Sequence, residues 1–92
     1  MSATPTAKFF RGISSFYVGL NALQNASEES RAKKPNRAKL CEYGKTSQDM
    51  FLETMTNMPA GGAIDRNVAG QVLQVVQQQS GTVEQIVKTY CK

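Results

Sequence analysis

From Phe9 to Leu23 the large apolar residues fall at Phe9, Ile13, Phe16, Leu20 and Leu23, advancing by four and three in turn and so sharing one side of an α-helix. Phe10 and Tyr17 widen the stripe. A strand presents every second residue to one face, so this spacing commits the segment to helix. Residues 1–5 are expected to form a flexible tail, Thr6 after Pro5 is the expected N-cap, and the helix is expected to reach about Asn25. Gly12 and Gly19 border the stripe, with Ser15 beside them. A glycine inside a helix costs up to about 1 kcal/mol, so these two point to a close approach. The neighbour is either another helix of the same domain or a second protein docked on a seam of small residues.

Helical spacing recurs along the chain, separated by turn chemistry. Residues 27–36 read as a basic linker with no side chain larger than Ala that is apolar, and Pro35 interrupts any helix begun there. Asn36 is placed to cap a helix containing Leu40, Cys41 and Tyr43, with a break expected near Gly44. Thr46 with Asp49 three residues on marks a fresh start, and Met50, Phe51, Met55 and Met58 give its apolar face. Pro59, Ala60, Gly61 and Gly62 are expected to end it in a turn. Asp65 caps the next helix, where Val68, Ala69, Val72, Leu73, Val75 and Val76 fill one arc and Gln71, Gln74, Gln77 and Gln78 the other. Gly81 suits a left-handed helix end, and Thr82 with Gln85 forms a capping box for a last helix carrying Val83, Ile86, Val87 and Tyr90. The expected fold is all-α, a small bundle of four or five helices, and 92 residues are enough for one domain.

Cys41 and Cys91 are the only thiols. In so small a core a disulfide is a common staple of secreted chains, and closing a loop of about 50 residues is worth roughly 4 kcal/mol on the chain-entropy estimate. The other reading is two separate buried thiols in a cytoplasmic protein. No run of 18 apolar residues exists to span a bilayer. The apolar stretch from Phe9 to Leu23 is broken by Arg11, Gly12, Ser14 and Ser15 and lacks the compact core of a signal peptide. A disulfide therefore implies a periplasmic or secreted protein with its leader already removed.

Most catalytic chemistry lacks its residues. There is no His, so the commonest general base near neutrality is missing. Two Cys without His cannot build a zinc site. Asp49 and Glu53 are spaced to converge on one helix face, yet two carboxylates are fewer than hard-cation sites recruit, and a solvated face is the expected reading. Neither thiol sits in a C-x-x-C pair, and Gly61-Gly62 lacks the Lys-Ser/Thr ending of a phosphate loop. No enzyme, cofactor or metal is expected.

Charge is distributed unevenly. The chain carries +4 overall with a pI near 9.3, and five of the nine residues from 31 to 39 are cationic: Arg31, Lys33, Lys34, Arg37 and Lys39. Such a cluster steers encounter with an acidic protein partner or with a polyanion. The segment from Val68 to Tyr90 resembles a helix-turn-helix in outline, but Lys88 and Lys92 are its only cations after the turn, and Glu84 opposes phosphate. Gln71, Gln74 and Gln78 make an uncharged amide face that could meet a protein with little desolvation cost.

In size, helical pattern, Cys41–Cys91 spacing and the TYC ending at 89–91, the chain resembles small periplasmic helical proteins of bacteria. These include acid-stress chaperones and immunity proteins that neutralise secreted cell-wall toxins. The likeness involves no specific motif and assigns no functional residue. The expected function is a non-enzymatic protein-interaction module of the bacterial envelope or secreted space, which binds and blocks or protects a partner. Nucleic-acid binding through Arg31 to Lys39 is the alternative.

Overall fold

A computed structural model describes residues 4–61 and 63–91. Among the described residues three helices follow one another, α1 (Pro5–Ser30), α2 (Arg37–Gly61) and α3 (Arg66–Tyr90), each antiparallel to the one before it. The rod they form measures 45 × 27 × 17 Å.

Start signals lie close to where side-chain chemistry places them. Thr4, two residues ahead of the expected cap, accepts a hydrogen bond from the Ala7 amide at 3.1 Å, and Pro5 occupies the first turn, where its missing N–H costs nothing. Asn36 Oδ1 accepts from the Lys39 amide at 3.1 Å and Asp65 Oδ1 from the Val68 amide at 3.0 Å, as their sequence positions suggest. Thr6 is thus inside α1, which also runs past Asn25 to Ser30, so the basic linker begins at Arg31.

The expected count of four or five helices is corrected to three, because two anticipated breaks do not occur. Gly44 lies inside α2, and Thr46 starts nothing. A β-carbon at Gly44 would sit 2.9 Å from Ile86 Cγ2 and 3.2 Å from Val87 Cγ2, so this glycine serves close packing on α3 rather than termination. Gly81 is likewise inside α3, and Thr82 and Gln85 are exposed on its surface instead of forming a capping box. Among the described residues no glycine has a positive φ. Pro59 lies within the last turn of α2, which continues to Gly61, and Gly62 lies outside the described residues.

The buried positions of α2 are Leu40, Gly44, Ser47, Phe51, Thr54 and Met58, a strict alternation of four and three. That is the period with which one helix keeps a continuous seam against its neighbours. Small residues of α1 answer it: Gly12, Ser15, Gly19, Ala22 and Ala26 are all buried. Added β-carbons at Gly12 and Gly19 would lie 2.8 Å from Met58 Sδ and 2.7 Å from the Phe51 ring. Of the two neighbours expected for these glycines, it is the helix of the same domain that fills the place. So close an approach brings hydroxyls of α2 within reach of α1's backbone: Ser47 Oγ donates to the Gly19 carbonyl at 2.9 Å. Thr54 Oγ1 lies 2.9 Å from the Met50 carbonyl and 3.2 Å from that of Gly12.

α3 is held differently. Its Ala69, Val72, Val76 and Val83 join Phe16, Phe51 and Met58 in one core, against which Phe9, Ile13, Leu20 and Leu23 of α1 pack with partial burial. Large side chains therefore keep α3 further from α1 than α2 is. The sulfurs of Cys41 and Cys91 lie at disulfide distance, 2.12 Å, with α-carbons 4.9 Å apart. They join the start of α2 to the C-cap of α3.

Candidate functional site

The antiparallel order brings the end of α1, the start of α2 and the end of α3 together at one end of the rod. All five cations of the 31–39 segment are found there and all are exposed. Arg31 is the C-cap of α1, and its guanidinium folds back onto Ser27, with Nε 3.3 Å from the Ser27 carbonyl and Nη2 3.2 Å from its Oγ. Arg37 opens α2 and reaches across to α3, donating from Nη2 to the Thr89 carbonyl at 2.7 Å, with its guanidinium 5.9 Å from the centre of the Tyr90 ring. That bond satisfies one of the orphan carbonyls at the helix end and adds a cation at a favourable pole. Lys33 and Lys34 lie in the connection between α1 and α2, and Lys39 in the first turn of α2.

Among the described residues none of the five is in an ion pair; the pairs present are Arg11–Glu53 at 3.3 Å and Lys88–Glu84 at 3.4 Å. The connection is nevertheless organised. Glu29 Oε1 accepts from the Asn36 amide at 3.0 Å, which fixes where the chain turns into α2.

Beside the cations lies a groove of about 440 Å³ between α1 and α3, floored by Leu40. Its α1 wall is Leu23, Ala26, Ser27 and Ser30, and its α3 wall is Gln79, Thr82, Gln85, Ile86, Thr89 and Tyr90. The groove exists because Ala26, Ser27 and Ser30 are too short to fill the space between helices that large residues hold apart further along. Sequence reasoning does not find it. The α3 wall is visible in the sequence only as polar residues recurring at three- and four-residue intervals from Gln79 to Thr89, and Thr82 and Gln85 read there as a cap.

Gln71, Gln74 and Gln78 are exposed on α3, as expected, but not with the cations. At 1.5 Å per residue, Gln71 stands roughly 27 Å and Gln78 roughly 16 Å along α3 from Thr89, so the amide face lies away from the cationic end. Asp49 is exposed, whereas Glu53 turns toward Arg11 of α1. Among the described residues no group of three or more His, Cys, Asp or Glu is placed to hold a metal ion, and no helix is long and apolar enough to cross a membrane. Comparison of the chain with protein-family models, with curated proteins and with solved structures finds no match.

Proposed function

We propose that the protein is a non-enzymatic interaction module that docks an acidic protein partner on its cationic end, in the bacterial envelope or another oxidising space. The observation that carries this is the cluster of five exposed cations with no carboxylate paired to them among the described residues. Unpaired cations of one sign on a small surface raise the encounter rate with an acidic surface and gain partners only on binding. Arg31 and Arg37 are already held by Ser27 and Thr89, so part of the entropy of ordering them is spent before any partner arrives. The cysteine pair at disulfide distance supports an oxidising location.

The same cations support a second reading, a polyanion-binding accessory protein. Capture from an extract of the source organism, with the wild type beside an Arg31→Glu/Lys34→Glu variant, separates the two. One stoichiometric protein retained by the wild type at moderate salt and lost by the variant supports docking. Recovery of nucleic acid that disappears steeply with salt supports the alternative. Equal capture by wild type and variant removes the cationic end from either role.

A further inference from the structure

The groove beside the cations has a polarity that a protein-docking surface does not need. Its partly exposed apolar lining is Leu23 on the α1 side and Ile86 and the Tyr90 ring on the α3 side, over the buried Ala26 and Leu40, and Ser27 and Ser30 complete the α1 wall. Between Ile86 and Tyr90 the α3 wall also carries Gln79, Thr82, Gln85 and Thr89, whose side chains make no hydrogen bond among the described residues. The groove contains no charged side chain, yet a guanidinium is bonded to a lining residue on each side, Arg31 to Ser27 and Arg37 to the Thr89 carbonyl. Its volume of about 440 Å³ falls in the range of small-ligand pockets, about 300 to 1,000 Å³.

We infer that this groove binds a monomeric amphiphile with one aliphatic chain and an anionic head, such as a medium-chain carboxylate. The chain lies against Leu23, Ile86 and the Tyr90 ring, and the carboxylate lies at the mouth, on the side of Ser27 and Thr89 where the two guanidinium groups are anchored. Charge complementarity chooses the head: a cationic amphiphile would face Arg31 and Arg37, and a neutral one would leave them unpaired. The site shares Arg31 and Arg37 with the proposed docking surface but needs no protein partner to be filled.

The test is a titration of isotope-labelled, disulfide-intact protein with decanoate below its micelle concentration, followed by amide chemical shifts. The expected result is saturable shifts confined to residues around Leu23, Ala26, Ile86 and Thr89. Decanol and decyltrimethylammonium should bind about tenfold more weakly or worse. Thr82→Trp, which fills the groove from an exposed position, and Arg31→Gln/Arg37→Gln should each weaken decanoate by a similar factor, with thermal unfolding confirming that both variants fold. Absence of saturable shifts, equal binding of the cationic amphiphile, or undiminished binding by Thr82→Trp would overturn the inference. So would binding only to decanoate-containing vesicles, which would mark a membrane surface as the target. Thr82→Trp leaves all five cations in place, so its loss of decanoate with capture of an acidic protein unchanged separates the two sites.

Discussion

The seam between α1 and α2 and the outer face of α3 both contain glycines in mid-helix, and the two sets behave as opposites. At Gly12 and Gly19 the missing side chain is replaced by a neighbour: Met58 and Phe51 occupy the space within 3 Å of where a β-carbon would stand. At Gly70 and Gly81 there is nothing within 4 Å. The first pair exchanges helix propensity for contact. The second bears the cost of glycine with no contact in return, and nothing in the structure explains it. A glycine's identity therefore says little until its surroundings are known, and both junctions of the molecule use the first kind. What divides the junctions is the rest of the contact: α1 meets α2 through two such glycines and hydroxyl bonds, whereas α3 meets α2 through one, Gly44, with larger side chains and the Cys41–Cys91 pair.

Four measurements sharpen that division. The largest effect is expected on α3: reduction, or Cys41→Ser with Cys91→Ser, should lower unfolding stability in denaturant by about 4 kcal/mol. Hydrogen exchange should show the largest loss of protection at residues 86–91, beyond the fall shared by amides around Gly12 and Gly19 that exchange through global unfolding. Uniform loss along all three helices would mean the junctions are not separable. Next comes Gly19→Ala, expected to destabilise by about 1–3 kcal/mol because the rigid Phe51 ring cannot move aside. Gly12→Ala should cost less, since it meets the flexible end of Met58, and the reverse order in urea denaturation would refute the packing account.

Ser47→Ala should cost about 0.5–1.5 kcal/mol, the net worth of the bond to the Gly19 carbonyl. A neutral result would leave shape alone holding the seam. The smallest effect has the opposite sign: Gly70→Ala and Gly81→Ala should each stabilise by about 0.5–1 kcal/mol, read as a raised Tm. Destabilisation at either would show that the outer face of α3 is tighter than it stands here.

The helical class of the chain was legible because the spacing from Phe9 to Leu23 excludes strand without help from the rest of the molecule. The caps Asn36 and Asp65 were legible for a similar reason, their bonds reaching only three residues onward. Helix continuity was not. Gly44 and Gly81 each stand between apolar runs and carry the same local signal for a break. What overrides it at Gly44 is Ile86, a neighbour forty-two positions away that no local pattern contains. Of the candidate site, the cations were plain from sequence and the groove was not. It is formed by three helix ends that meet only once α1, α2 and α3 alternate in direction, and its polar wall imitates a capping box.

That alternation also has an electrostatic sequel. Three rods laid head to tail cannot cancel: the C-termini of α1 and α3 and the N-terminus of α2 share one end. With about half an elementary charge of opposite sign at each helix pole, that end carries a surplus of roughly half a negative charge in its backbone. Arg31, Lys33, Lys34, Arg37 and Lys39 are gathered over it. The peptide carbonyls thus act as a diffuse counterion for the cluster, and any anion that binds there competes with the chain's own main-chain dipoles.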